Sequence, residues 1–320
     1  MSTSDEDIAA WSRYWRTGPT ASCTESGVAS SGFDRFWEDV FSSVSPRAHI
    51  VDLATGNGYV ASLACSFSAK HSRQFVVVGV DAADIDERSV ARAPDETAGA
   101  TLRLQGNTRL EALPFADRQF DLAVSQFGFE YAEPSAAVSE LARVLKPDGA
   151  FHFIMHAREG AIFAAVFERV ERLGRLMRQG GLFDTIREGA ICLIQGDRDV
   201  ETQIDAAIRG IESELAPLAQ SPPPDDAALF YSSGLTQLWD TRARYAPEDL
   251  LASVNDAYGR VRAQLSRQQN LIGAAHSPDS LDTLRSTMAR HGLDTAPPAA
   301  TRDEFGAQIA WSLRGRKPSA

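Results

Sequence analysis

Lysine is scarce in this 320-residue chain, occurring only as Lys70, Lys146 and Lys317, so that nearly all positive charge is arginine. Acids outnumber bases by 43 to 32, for a formal net charge of −11. That balance argues against nucleic acid as a partner, because neutralising phosphates needs basic surface. Cysteine is equally thin. Cys23, Cys65 and Cys192 are odd in number and widely spaced, with no C-x-x-C pair. Neither a disulfide framework nor a zinc knuckle follows from such spacing, and no metal site is expected. No apolar run is long enough to cross a bilayer, and the acidic, polar first residues do not read as a signal peptide. The expectation is a cytoplasmic protein with no membrane partner. Apolar residues still make up 43% of the chain, enough for a substantial core. The length allows one large domain, or one domain carrying a long insertion.

What is present centres on His49-Ile-Val-Asp-Leu-Ala-Thr-Gly-Asn-Gly-Tyr-Val-Ala61. Residues 49–53 read as a short buried strand and residues 59–66 as the opening of a helix. Ala54, Gly56 and Gly58 make the turn between them, where small side chains let a ligand approach the backbone. Ligands of open α/β sheets bind at such turns. Gly56-Asn-Gly58-Tyr-Val-Ala61 fits the dinucleotide pattern G-x-G-x-x-[GA], a weak match taken alone. Reading two residues earlier gives Asp52-x-Ala54-x-Gly56-x-Gly58. An acid there is a poor neighbour for a pyrophosphate and a good one for a cation. In this the chain resembles class I S-adenosylmethionine-dependent methyltransferases, whose first motif is an acid followed by x-[GA]-x-G-x-G. Their cofactor carries a sulfonium and an ammonium and no phosphate.

The resemblance continues along the chain. Residues 74–80 read as a nearly all-apolar second strand ending in Asp81, where the family's acid holds the ribose diol. A third strand at 102–104 precedes Gly106 and Asn107. The stretch Glu111-Ala-Leu-Pro-Phe-Ala-Asp-Arg-Gln-Phe-Asp-Leu-Ala-Val-Ser125 resembles the family's G-D-A-x-x-L-P-F-x-D-x-x-F-D-x-V-x-S. Asn107 replaces the family's acid, which leaves the adenine contact to Asn107 or Glu111. Thr55, Ala82, Thr108 and Gln126 flank these motifs and join the candidate cofactor residues. After a fourth strand at 121–125, Gln126-Phe-Gly-Phe-Glu-Tyr131 lacks the [ND]-P-P-[YF] turn of many nucleobase and glutamine methylators. Glu130 and Tyr131 there are either substrate contacts or structural hydrogen-bonding groups. A helix at 136–145, Leu-Lys-Pro-Asp-Gly149 and a fifth strand at 150–155 follow. His156, at that strand's end, is either a core histidine or a proton acceptor beside the substrate.

Two N-terminal helices are expected at 6–16 and 33–43, with a Gly/Ser-rich stretch between them. Their aromatic spacing suits packing, and the resemblance also implies an N-terminal segment closing over the cofactor, with Tyr14 or Arg16 reaching it. Beyond residue 158 the pattern turns helical (161–177, 200–218 and 247–269), broken by Ser221-Pro-Pro-Pro-Asp-Asp226. A helix at 281–291 and a last strand at 305–313 follow. The expected fold is α/β: a Rossmann-like, doubly wound, mostly parallel sheet with an antiparallel last strand, plus a helical cap insertion after the fifth strand. The expected divisions are an N-terminal segment (1–47), a core (48–157 and 278–320) and an insertion (158–277) that caps substrate, supplies a homodimer surface, or both. The resemblance implies methyl transfer from S-adenosylmethionine to the oxygen or nitrogen of a small molecule, with S-adenosylhomocysteine as product. A nicotinamide-dependent oxidoreductase and a catalytically silent cofactor-binding partner subunit are the rival readings.

Overall fold

The computed structural model describes residues 4–17, 31–85, 100–217 and 227–319. Cys23, most of the Gly/Ser-rich stretch and the Ser221–Asp226 break lie outside the described residues. The chain forms two compact units, Met1–Ala164 with Asn270–Ala320, and Ala165–Gln269.

The first unit opens with α1 (Asp5–Arg16) and α2 (Ser31–Ser42). A capping box sets the start of α1, where the Ser4 hydroxyl accepts from the Asp7 amide and the Asp7 carboxylate accepts from Ser4. Then come β1 (His49–Leu53), α3 (Tyr59–Lys70), β2 (Val76–Val80), β3 (Thr101–Gln105), β4 (Phe120–Gln126), α4 (Pro134–Val144) and β5 (Leu145–His156). The intervening helices of the other unit are α5 (Ala161–Met177), which begins in the first, α6 (Leu182–Ile194), α7 (Glu201–Leu215), α8 (Ala227–Asp240) and α9 (Pro247–Ala274), which ends back in the first. The first unit closes with α10 (Pro278–Arg290), β6 (Asp294–Thr295), β7 (Ala299–Arg302) and β8 (Gln308–Arg316).

The sheet runs β3-β2-β1-β4-β5-β8-β6, with β7 also on β8. The β1 to β5 pairings are parallel, and β8 is antiparallel to β5, β6 and β7. The expected fold class holds: a doubly wound, mostly parallel sheet with an antiparallel last strand. Strand order reverses at β1, which lies between β2 and β4, and the crevice at the carboxyl ends of these strands is where such a sheet receives ligands. Val51, Leu53, Phe151 and Phe153 pack with Leu141 of α4 and with Leu281 and Met288 of α10 in one buried cluster.

The fifth strand starts earlier than residue 150. Phe120 pairs with Leu145 and Leu122 with Ala150, so Lys146–Pro147–Asp148–Gly149 loops out as a bulge within the ladder. The Asp148 amide there donates to Lys317 O, 2.7 Å away. The stop signal is real, but it interrupts a strand already begun.

The second unit has its own apolar core, including Leu173, Phe183, Ile186, Trp239 and Val261. Trp239 is 1% exposed, and its indole N–H donates to Asp205 Oδ1 at 2.7 Å. Helices α6 and α8 are additions to the three helices expected here.

Candidate functional site

A cavity with about 910 Å³ of non-atom space, part of it open to solvent, lies at the carboxyl ends of β1, β2 and β4. Its wall brings together Asp52, Ala54, Thr55, Asp81, Ala82, Gln126 and Tyr131, candidates up to about 80 residues apart in sequence. All come from the first unit.

Asp52 is the penultimate residue of β1 and Asp81 follows β2 directly. Asp52 Oδ2 accepts from the Thr55 hydroxyl (2.5 Å) and from the Ala61 amide (3.1 Å), so it also caps the start of α3. Asp81 Oδ2 accepts from the Gly56 amide and Oδ1 from the Ala83 amide, each at 2.8 Å. Burial pushes the Asp52 carboxyl up to about 7; its two hydrogen bonds oppose the rise, and the Asp81 charge adds to it. Burial likewise pushes Asp81 up to about 6, against the Ala83 and Gly56 amides. No Lys, Arg or His side chain is bonded to either carboxylate among the described residues. Two desolvated acids in one cavity favour a cationic or hydroxyl-donating ligand and oppose a phosphate.

The turn between β1 and α3 runs through the left-handed region at Ala54 (φ 55°), Gly56 (φ 54°) and Gly58 (φ 82°). A Cβ on Gly56 would run into the Trp15 ring. Gly56 and Gly58 therefore shape the turn and stand outside the cavity wall, Gly56 beneath the indole. Trp15 belongs to a face of α1 that also carries Ile8 and Trp11 to the wall, at helical spacing. Tyr14 is buried beside them, edge-on to Trp11 (5.7 Å) and Trp15 (5.0 Å), and does not line the cavity. The Asn57 side chain donates to Trp15 O at 3.0 Å. The Asp84 amide donates to the Ser12 hydroxyl at 2.9 Å, a second tie on α1.

After β3, the Asn107 amide donates to Ala83 O and the Thr108 amide to Asp81 O. This locks the loop beside Asp81. Asn107 is exposed and Thr108 buried, and the wall here comes instead from Arg109, Leu110 and Glu111. Glu111 Oε1 accepts from the Glu133 amide at 2.8 Å.

At the β4 exit, Gln126 Oε1 accepts from the Trp37 indole N–H at 2.6 Å. Phe127, with φ 55°, is held by its amide bond to Ile154 O and by stacking on the His156 ring at 4.3 Å. The His156 and Glu130 side chains are 1% and 0% exposed. Glu130 Oε1 accepts from the His156 amide at 2.9 Å and lies 2.8 Å from Nδ1. Burial pushes Glu130 up, but its bonds to His156 outweigh it and the net shift is down. His156 pairs with Ala310 of β8, so it is still inside the sheet where the sequence suggested an exit. The structure thus puts Glu130 and His156 behind Phe127 and outside the wall, and leaves Tyr131 in it.

Trp11, Trp15, Arg109 and Leu110 are wall residues outside the candidate set, as are Tyr59 and Phe127, which the quoted motifs contain without giving them a role. For the tryptophans the spacing on α1 was the available signal, and it is equally the signal of core packing.

Residues 51–153 match the family model described as a methyltransferase domain. An uncharacterized protein of Mycobacterium tuberculosis is 31% identical over 159 residues, covering 49% of this chain and 54% of that protein. The ubiquinone/menaquinone biosynthesis C-methyltransferase of Shewanella halifaxensis is 31% identical over 132 residues, 38% of this chain and 49% of that protein. The chain thus spans about half the length of these curated relatives. A SAM dependent methyltransferase of known structure from Aquifex aeolicus is 10% identical, covering 90% of this chain and 94% of that one, at a TM-score of 0.45.

Proposed function

We propose that this chain, whose residues 51–153 match the methyltransferase-domain family model, transfers a methyl group from S-adenosylmethionine to a small-molecule acceptor. The observation that carries this reading is the pair Asp52 and Asp81. They lie at the carboxyl ends of neighbouring parallel strands, line one cavity, and titrate near 7 and 6 because burial leaves them short of compensating charge. That donor set fits the cofactor. Asp81 keeps acceptor capacity on both oxygens for the two ribose hydroxyls, and Asp52 with Thr55 favours the cationic end. Ala54, Ala82, Leu110 and Gln126 complete the apolar and amide wall around it.

When bound, the sulfonium supplies a methyl group already activated for transfer. The protein's part is to hold the acceptor in line and exclude water, and orientation of this kind is worth ~7–11 kcal/mol of barrier. The rings of Trp11, Trp15, Phe127 and Tyr131 line the cavity and give it an apolar wall. A base adds ~10²–10⁴-fold where the acceptor holds its proton until transfer. Oxygen or nitrogen acceptors fit this scheme. A carbon acceptor is the second reading, favoured by the C-methyltransferase named for the Shewanella relative.

Thermal unfolding with S-adenosylhomocysteine, NAD and NADP in parallel tests the reading. At 100 times its dissociation constant a ligand adds ~2.7 kcal/mol, a shift of several degrees. A rise with S-adenosylhomocysteine alone is expected. A rise with a nicotinamide alone would overturn the proposal. Protein denatured beforehand, with released small molecules weighed, shows whether cofactor copurifies.

A further inference from the structure

We infer that the half-buried side of the same cavity is an acceptor subsite for an alkyl amine, held by the rings of Trp11 and Tyr131 and the carboxylate of Glu111. This rests on the methyltransferase reading and names the acceptor class it leaves open.

Trp11 and Tyr131 meet with ring centroids 5.7 Å apart at 75°, forming an aromatic corner in the wall. Aromatic faces carry negative charge density and attract alkylammonium groups. Glu111 lines the same cavity, and the Glu133 amide fixes one of its carboxylate oxygens. The charges on the wall are Asp52, Asp81, Glu111 and Arg109, and Arg109 is committed to Asp5 at 2.6 Å. The wall is therefore acidic overall; with Asp52 and Asp81 assigned to the cofactor, Glu111, otherwise a candidate for the adenine contact, is assigned to the acceptor.

Proton bookkeeping points the same way. The wall has no His, Lys, Cys or Ser among the described residues. Apart from the two acids assigned to the cofactor, Glu111 is its one carboxylate among the described residues. An amine that takes the methyl group gives its lone pair to the methyl carbon as the carbon–sulfur pair returns to sulfur. The sulfonium thereby becomes a thioether. An amine arriving as ammonium first sheds one proton to free that lone pair, whereas one arriving neutral leaves as the methylated ammonium with no proton to shed. The proton of an arriving ammonium goes to solvent, and the Glu111 carboxylate on the wall serves to favour the cationic substrate and the cationic product. Amide and nucleobase nitrogens fit less well, because their delocalised lone pairs need carbonyl oxygens to grip the planar N–H groups. The amide oxygen at the β4 exit, on Gln126, is already taken by Trp37.

The test uses the full chain and begins by titrating S-adenosylhomocysteine calorimetrically. Protein saturated with it is then titrated with choline and with 3,3-dimethylbutan-1-ol, which has the same shape without the charge. Choline should bind at least ~10-fold tighter, the upper range for a cation on aromatic faces beside a carboxylate. Glu111→Gln, whose amide oxygen can still accept from Glu133, should cut that preference to ~3-fold or less. Trp11→Leu should do the same, and melting curves confirm that each variant folds. Should Glu111→Gln fail to fold, Trp11→Leu decides alone. Equal binding of the two probes, binding of neither, or a preference that survives in the folded variants would overturn the amine subsite and leave the methyltransferase reading standing. Failure of S-adenosylhomocysteine to bind would overturn both.

Discussion

The sheet unit and the helical unit bury different chemistry. In the helical unit the interior includes Leu173, Phe183, Ile186, Leu235 and Trp239, and its buried polar residues among those described are Arg172, Thr185 and Gln268. The sheet unit buries Asp52, Thr55, Asn57, Asp81, Thr108, Ser125 and His156, with the Glu130 side chain at 0% exposure. Unpaired buried charge is costly. An interior that tolerates two desolvated carboxylates has given up stability where a ligand can restore it. The helical unit packs mainly apolar side chains, and its one buried charge among the described residues, Arg172, lies 3.8 Å from Glu168.

The sharpest way to break this contrast is Trp239→Ala. It empties a closed apolar site and strips Asp205 of its indole donor, so urea unfolding should show a loss of ~3–5 kcal/mol. Affinity for S-adenosylhomocysteine should stay within about two-fold, because the described cavity wall takes no residue from this unit. A loss below ~1 kcal/mol would mean that the helical core does not close around this ring.

Asp81→Asn should do the reverse. Losing an ionised acceptor for two hydroxyls costs ~1.5–3 kcal/mol of binding, or ~10–100-fold in calorimetric affinity. Stability of the ligand-free protein should change far less, and its pH dependence carries a definite sign. Burial pushes Asp52 up to about 7 and Asp81 up to about 6 in the fold, against 3.8 for an ordinary exposed aspartate. Between about pH 4 and 7 the folded state therefore holds protons that the unfolded state has released. This contribution to stability is complete below pH 4 and is lost as pH rises through 6 and 7. Urea midpoints from pH 4.5 to 8 should show the decline, and Asp81→Asn should flatten it. Wild-type affinity for S-adenosylhomocysteine should strengthen over the same window.

The smallest effect belongs to Asp5→Ala. Its pair with Arg109 is at the surface, with Asp5 96% exposed, and exposed pairs are worth ~0.2–1 kcal/mol. A larger drop in melting stability would show that docking of α1 depends on this one contact.

Much of the sheet unit was legible because its signals are local. Asp52 and Asp81 stand where apolar β-branched runs end, and the small residues from Ala54 to Gly58 announce the turn. Leu-Lys-Pro-Asp-Gly was also readable, although its bulge was not, since register depends on the partner strand. The wall from α1 was illegible for a different reason. Trp11 and Trp15 show the same periodicity whether they face a core or a cavity, and only tertiary placement separates the two. Tyr14, one position off that face, shows how narrow the margin is. Glu130 and His156 looked like edge residues because the sequence does not reveal that β8 continues the sheet past them. In the helical unit, α8 escaped notice because Ser232, Ser233, Gly234 and Thr236 interrupt its apolar pattern.

The pairing of β5 with β8 bears on how the chain is made. His156 lies against Ala310, so a growing chain on the ribosome displays one open hydrogen-bonding edge until about 150 further residues emerge. At ~5–20 residues per second that wait lasts on the order of ten seconds. Open edges recruit other strands. The helical residues between them form their own core from contacts close in sequence, so that unit can fold during the interval. Premature termination after α9 would leave a product with a folded helical unit beside an unfinished sheet, prone to pair with its own copies.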